Sequence, residues 1–461
     1  MIKVGQFSTW QEHCGVARNA HSVADLLGDA VEIVPLPLKR STMLGKKDKF
    51  ERQIANTYFD ELIEIASQCD AIIWQHEPGL LGSRKKDYFK RSKLISKINK
   101  PMIIVLHTIP RELSFGDNAI NLIKCLFSFP SRSTFVEFKE NVIKIFRGMA
   151  WKRLFTDIAR AVSRNGVLII HTEEDAKYIK VATSIDSSKV IIAAPSNVTN
   201  EMKNLYLQIS SSMASNDHNS RVQSIFNQYP DAFWITYVGF LNDYKGIDYL
   251  LEVIKLLPQN FRLIISGGIH ERSADDFIDA HPFTKKILGL LGLTTNQSLD
   301  KIKVVSRKEE PSPSKVDLQN LAELRSRIHL LSYPSDIEIA ETVIGSDAVS
   351  LLYRNVNQSA SGPLVEALEL GATTVASNNR LFRRFKNRSG EQLLLVDVGN
   401  TLQVRDEFIR LLGLRELHER GGYRFVKYPW TQSINFRERF KEGYSEAFGV
   451  LGFQEVKDKL N

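Results

Sequence analysis

The sequence predicts an α/β protein built as two doubly wound halves, each around a mostly parallel sheet. Three observations carry this. Short apolar, β-rich runs alternate with helical patterns along most of the chain, which is the order of βαβ units. A polar stretch from Thr199 to Pro230, with Ser210-Ser211-Ser212 and Ser215 to Ser220, separates two such series and reads as a linker. A length of 461 residues suits two to three domains at roughly 150 residues each.

In the first half, Ile2–Phe7 reads as a strand, and Cys14–Leu27 as a helix from the spacing of Val16, Ala20, Val23, Ala24 and Leu27. Val31–Pro35 is a strand, Phe59–Ser67 a helix, and Ala71–Trp74, Met102–His107 and Gly166–His171 are strands. Thr172 followed by Glu173, Glu174 and Asp175 reads as an N-cap with acids in the first turn. Val190–Ala193 closes the half. In the second, Trp234–Val238 is a strand, and Gly239–Lys245 leads to a helix from Ile247. Phe261–Ser266 is a strand ending in Gly267-Gly268, and Ala340–Ser346 is helical. Ala348–Leu352 is a strand, Pro363–Leu370 a helix, and Thr373–Ala376 and Gln392–Val396 are strands. The charged stretch from His270 to Ser326, with Glu309-Glu310-Pro311-Ser312-Pro313-Ser314, reads as an insertion carrying an exposed loop. The domain boundaries that follow are 1–198, a linker at 199–230, a second domain at 231–425 and a last segment at 426–461.

Composition excludes several classes. With 43% hydrophobic and 25% charged residues the chain reads as an ordinary globular protein, not a disordered, collagenous or coiled-coil one. No apolar run approaches the ~18 residues of a spanning helix. The N-terminus runs straight into a strand pattern without a signal-peptide pattern. Cys14, Cys69 and Cys125 are widely spaced and odd in number, which suits reduced thiols in a cytoplasm. The formal net charge of +8 points to an anionic partner. It concentrates at 84–100 and at 139–164, where Lys144, Arg147, Lys152 and Arg153 interleave with Phe146, Trp151 and Phe155. Such stretches suit an anionic membrane surface; the alternative is a solvated helix face over an ordinary core. No nucleic-acid-binding motif accompanies them.

Three elements could carry chemistry. Gly15 stands where the first strand-loop turns into a helix, whose N-terminal N–H groups suit a phosphate; the plain alternative is a tight-turn glycine. Gly239-Phe240-Leu241-Asn242-Asp243-Tyr244-Lys245-Gly246 ends a strand in glycine and brings a lysine to the start of a helix. That suits an ammonium aimed at a diphosphate; the alternative is a surface lysine. Downstream, Tyr353-Arg354 ends a strand, and Asn355 to Leu364 leads into a helix with Pro363 in its first turn. Backbone N–H groups of Ser361, Gly362 and Leu364 are placed to face phosphate oxygens, and Glu366 to accept both hydroxyls of a ribose. A stabilising helix-start acid at Glu366 and a surface ion pair at Arg354 are the structural alternatives.

Taken in order, these pieces resemble the retaining glycosyltransferases of the GT-B fold, glycosyltransferase family 4, also called group 1. Trp10–Ala17 resembles the N-terminal glycine loop, and Gln75-His76-Glu77-Pro78-Gly79-Leu80-Leu81-Gly82 a histidine-glutamate-glycine stretch of one branch. Leu106-His107-Thr108 resembles the strand-end histidine, Val238–Gly246 the phosphate-binding lysine segment and Gln358–Glu366 the paired-acid motif. Tyr428-Pro429-Trp430 precedes what resembles the final helix, which in GT-B proteins crosses back to the first domain.

The resemblance implies two Rossmann-like domains facing a cleft and a nucleoside-diphosphate sugar as donor. It implies a glycan or lipid-linked acceptor, in cell-envelope polysaccharide synthesis, with the enzyme cytoplasmic or peripheral on the inner face of the membrane. Lys245 would hold the diphosphate, Glu366 the ribose, and Gly15 would lie under the donor phosphates or sugar. His107 would line the cleft near the sugar, the alternative being a core histidine satisfied by backbone, and His76 and Glu77 would line the acceptor side. Two positions depart from the family pattern. Phe240 stands where an arginine is usual, so Arg354 is the candidate to supply that charge. Gln358 stands where the first acid of the pair is usual, in a Gln-Ser-x-Ser-Gly form. The chain contains no Asp-x-Asp, so the transfer is expected to be metal-independent. The alternatives are a catalytically inactive glycosyltransferase-like binding subunit and another GT-B enzyme such as a sugar-nucleotide epimerase.

Overall fold

The computed structural model describes residues 1–10, 15–39, 42, 49–77, 95, 97–109, 152–211, 220–268, 283, 287, 289–291, 322–354, 361–420 and 422–461. The expectations on Cys14, Cys125, Gln358, 84–94, 139–151 and the loop at 309–314 lie outside these residues. Contacts divide the chain into two units. One holds Met1–Ser196 with Phe436–Asn461, the other Asn197–Val356 with Ser361–Asn435.

The first unit is built on six parallel strands in the order β2-β1-β3-β4-β5-β6. They are β1 (Ile2–Ser8), β2 (Val31–Pro37), β3 (Ala71–His76), β4 (Met102–Leu106), β5 (Gly166–Ile170) and β6 (Val190–Ile192). The inner strands are near-continuous apolar runs because both faces are covered. Ile72, Trp74, Ile104, Leu168 and Ile170 pack to one side with Leu154, Ile158 and Val162 of the helix at 152–165. Ile73, Ile103, Val105, Val167 and Ile169 pack to the other, against Val23 and Leu27 of α1 (Gly15–Leu27). Helix α2 (Lys49–Ser67) turns Phe59, Leu62 and Ala66 to the first of these faces. Helix α3 (Glu173–Thr183) starts at Thr172, whose hydroxyl accepts from Asp175 N, and carries three acids in its first turn.

The second unit repeats the design with the order β12-β11-β10-β7-β8-β9. Its strands are β7 (Phe233–Val238), β8 (Phe261–Ser266), β9 (Ile328–Leu331), β10 (Ala348–Leu351), β11 (Thr374–Ser377) and β12 (Leu393–Val396), again parallel. Connecting helices are α6 (Ile247–Leu256), α7 (Asp336–Gly345), α8 (Gly362–Glu369), α9 (Arg380–Ser389) and α10 (Thr401–Leu412). In each sheet the chain winds one way from the first strand and then the other. The reversal falls between β1 and β3 in the first unit and between β7 and β10 in the second, the places where open α/β sheets bind ligands.

The stretch expected as a linker carries two helices in its described parts, while 212–219 lie outside the described residues. It holds α4 (Asn200–Ser210) and α5 (Arg221–Gln228). Thr199 and Ser220 cap them, accepting from Met202 N and Val222 N. Met202, Leu205, Tyr206 and Ile209 form a buried stripe on α4, and Val222 and Phe226 on α5 pack with Trp234. The serine and asparagine content between the stripes hides this periodicity in the sequence. Near the end, β13 (Glu416–Arg420) and β14 (Tyr423–Lys427) form an antiparallel hairpin. The chain then returns to the first unit as α11 (Phe436–Val450) and α12 (Gln454–Leu460). Phe440, Tyr444, Ala447 and Phe448 are buried there against the sheet. Gly443 permits the approach: a Cβ at that position would lie 2.4 Å from Ala193 Cβ. Among the described residues no helix is long and apolar enough to cross a membrane.

Candidate functional site

The second unit gathers most of the expected residues at its strand reversal. Beyond β7 the chain passes Gly239, makes one turn over Asp243–Lys245, and enters α6 at Gly246. Gly239 and Gly246 have φ of +120° and +66°, a region that side chains rarely tolerate. Lys245 folds back over this loop and is 7% exposed. A Cβ on Gly239 would sit 2.2 Å from Lys245 Nζ, so the glycine is where the ammonium rests. The same ammonium stands 5.7 Å from the centroid of the Tyr353 ring, a cation–π arrangement. A Cβ on Gly246 would meet the Leu352 carbonyl oxygen at 2.1 Å. Gly246→Val is therefore expected to destabilise the protein by at least ~2 kcal/mol, from left-handed strain plus a backbone clash no rotamer relieves. Urea unfolding checks this; a change under ~0.5 kcal/mol, the surface-substitution range, would contradict the packing.

Tyr353 continues β10 and is buried. Its hydroxyl hydrogen-bonds Ser361, and burial, with Tyr244 and Glu366 adding, pushes its pKa up. Its ring meets Tyr244 edge-on at 5.8 Å and Phe382 of α9 at 5.1 Å. Ser361 caps α8 by accepting from Leu364 N at 3.4 Å, with Pro363 in the first turn. Gly362 lies where a Cβ would come within 2.1 Å of Asn197 Nδ2 and 4.0 Å of Glu366 Oε1. Glu366 is fully buried one turn into the helix. An ammonium, a helix N-terminus and a buried carboxylate thus stand on the loops after β7 and β10. A cation and the N–H dipoles of a helix start suit a diphosphate, and a carboxylate suits a vicinal diol; the Leu364 N–H expected among the donors is taken by Ser361.

At Arg354 the structure shows the alternative of the two readings, an ion pair. Its guanidinium pairs with Asp243 and, at 2.5 Å, with Asp248 Oδ2, while its N–H donates to Tyr244 O at 2.8 Å. Two carboxylates neutralise it, so it braces the Lys245 loop instead of supplying the charge missing at Phe240. Gln358 lies outside the described residues.

In the first unit the strand register sets three histidines side by side. His76 pairs with Leu106, and Leu106 with Ile170, so His107 and His171 follow on adjacent strands. His76 is buried, and burial pushes its pKa down to about 4. His107 is half-buried and its pKa is held well down by burial and then by His171 and His76. Its Nε2 stands 2.7 Å from Gln75 Oε1, and its Nδ1 3.3 Å from His171 Nε2. Both ring nitrogens are engaged within the unit. Gly15 opens α1, where Ser8 Oγ donates to Val16 O at 3.3 Å. Trp10 donates its indole N–H to Gln6 O at 2.8 Å. Glu77 follows β3, half-buried. The sequence pointed to His107 but not to Gln75, His171 or the role of Tyr353. For His171 the signal was present: like His107, it directly follows a five-residue apolar strand.

No protein-family model matches the chain, and no curated protein matches it by sequence. Solved structures do match over its whole length. Anabaena HepE, in a structure with UDP and glucose, has a TM-score of 0.53 at 11% identity, covering 100% of this chain and 99% of that one. Sucrose-phosphate synthase from Thermosynechococcus elongatus has a TM-score of 0.52 at 11% identity, covering 100% and 98%. A glycosyltransferase from Rickettsia africae has a TM-score of 0.51 at 12% identity, covering 100% and 98%. These likenesses establish the fold: the chain has the GT-B fold, with two Rossmann-like units.

Proposed function

We propose that the chain is a retaining, family 4 glycosyltransferase that moves a sugar from a nucleoside-diphosphate donor to a glycan or lipid-linked acceptor. The observation that carries this is the convergence of Lys245, the Ser361-capped start of α8 and buried Glu366 at the β7/β10 reversal. HepE, a neighbour in fold, holds UDP in its structures and UDP-glucose in one of them. During transfer the bond from the anomeric carbon to the diphosphate oxygen breaks, and the acceptor oxygen bonds that carbon as its proton is lost. Negative charge grows on the departing diphosphate. Under this proposal a fixed ammonium and helix-start N–H dipoles facing the diphosphate would lower the barrier without reorganising. In this reading Glu366 holds the ribose, Gly239 gives the phosphates and Lys245 room, and Gly15 lies under the donor. His76 and Glu77 line the acceptor side. Retention of configuration, cytoplasmic work near the inner face of a membrane, and cell-envelope polysaccharide as product rest on the family resemblance.

A thermal-shift series against UDP, GDP, ADP, TDP and CMP tests the donor site. One diphosphate at about 100 times its Kd should stabilise by ~2.7 kcal/mol. Glu366→Gln is expected to weaken that ligand at least about tenfold, by removing a charge-assisted acceptor worth ~1.5–3 kcal/mol. No stabilisation by any nucleotide would favour the second reading, an inactive binding subunit. Phe240 and the paired state of Arg354 speak for it, because together they leave the site one cation short of the family pattern.

A further inference from the structure

Across the strand ends of the first unit runs a chain of hydrogen bonds: Tyr444 Oη to the Gln75 amide, the amide to His107, His107 to His171, and His171 Nδ1 to Ala193 O at 3.0 Å. We propose that His171 is a positioning residue that fixes His107 as its Nδ1–H tautomer, so that His107 Nε2 is a hydrogen-bond acceptor.

The argument starts at the fixed end. A backbone carbonyl only accepts, so His171 Nδ1 carries a proton. A neutral imidazole has one N–H and one bare nitrogen, so His171 Nε2 is bare. Across the 3.3 Å gap His107 Nδ1 must then be the donor, and His107 Nε2 is bare in turn. Its partner at 2.7 Å therefore has to donate, which sets the Gln75 NH2 towards His107 and its carbonyl towards the Tyr444 hydroxyl. In the structure the amide stands the other way, with Oε1 on His107 and Nε2 3.3 Å from Tyr444 Oη. That orientation asks three N–H donors of two rings, and closes only if the pair takes an added proton. Burial opposes the proton on both rings; on His171 it outweighs the Ala193 carbonyl and Asp175, which favour it. A half-turn of the amide about its last side-chain bond exchanges its two ends in place and leaves both rings neutral.

The terminal groups are held independently of any ligand. Ala193 follows β6 and is clamped by the close approach of Gly443 on α11. Tyr444, the next residue, is buried and grips Gln75. If His107 lines the cleft near the donor sugar, as the family resemblance implies, a sugar group reaches Nε2 only by replacing the Gln75 NH2. It must then be a donor: a hydroxyl fits, whereas a carboxylate or a ring oxygen does not.

Ring-15N-histidine spectra of the full chain test the tautomers directly, with resonances assigned from His107→Gln and His171→Gln. At pH 7.5 both rings should show protonated Nδ1 and bare Nε2. In His171→Ala, His107 should relax to a mixture of tautomers. In His171→Gln, whose amide both donates and accepts, the Nδ1–H form of His107 should survive. A wild-type His107 carrying its proton on Nε2, or on both nitrogens, overturns the proposal, as does an unchanged His107 in a folded His171→Ala. Should the alanine variant fail to fold, the wild-type and His171→Gln spectra still decide. These readouts need no nucleotide, so a failed donor-site screen and a failed tautomer assignment are separate results.

Discussion

Lys245→Ala is expected to cost ten- to about 150-fold in turnover, the range that a charge-assisted contact of ~1.5–3 kcal/mol allows. The ammonium rests on Gly239 and over the Tyr353 ring, and Arg354, the nearest candidate to replace it, is neutralised by Asp243 and Asp248. No second cation on this loop compensates. Because charge on the diphosphate grows as the bond breaks, the loss should fall more on kcat than on KM. Lys245→Met, which keeps the length and packing of the stem, should lose as much as the alanine variant. Lys245→Arg should not restore activity, since a planar fork is too wide for a seat shaped by a glycine Cα. The check is steady-state kinetics with the donor the screen identifies, beside calorimetric titration of the free diphosphate. Wild-type kcat in Lys245→Met would remove Lys245 from the phosphate site.

How far the sequence revealed this molecule depended on the distance between partners. The central strands were legible because parallel strands covered on both faces are short apolar runs, as at Ile103–Val105 and Val167–Ile170. The Gly239–Gly246 loop was legible because its glycines and lysine lie within eight residues. For Arg354 an ion pair was one of two readings, and its partners could not be named because both carboxylates lie more than a hundred residues earlier. The chain from Gln75 through His107 to His171 was missed for the same reason: adjacent strand ends are 32 and 64 residues apart in sequence. The β13–β14 hairpin left no pattern either. Glu416, His418, Glu419 and Arg420 give β13 no apolar face; β14 buries Tyr423, Phe425 and Val426, and charge ties the hairpin down beside them.

That tie makes Asp347→Ala the variant with the largest expected effect on stability, ~3–5 kcal/mol. Asp347 is fully buried just before β10. Its Oδ1 takes Arg415 Nη1 at 2.8 Å, and its Oδ2 takes Arg424 Nη2 at 2.8 Å and Trp234 N at 2.7 Å. Its carbonyl accepts from the Tyr428 hydroxyl at 3.0 Å. Burial pulls the Arg424 guanidinium down from its usual range, and the Asp347 carboxylate is the largest influence opposing this. Removing the carboxylate leaves two guanidinium groups with carbonyl partners only, and a buried Trp234 N–H with none from Asp347. Against a total of ~5–15 kcal/mol for an ordinary domain, the second unit should melt far earlier. Asp347→Asn should cost less, because its amide oxygen can still accept from Trp234 N. A double-mutant cycle separates the charge from the fold: on an Arg424→Met background, Asp347→Ala should cost clearly less than alone, since one of the two ions left uncompensated, the more buried, is gone. Equal costs on both backgrounds would mean that the carboxylate acts through Trp234, Arg415 and the strand pairing, not through Arg424 of the hairpin.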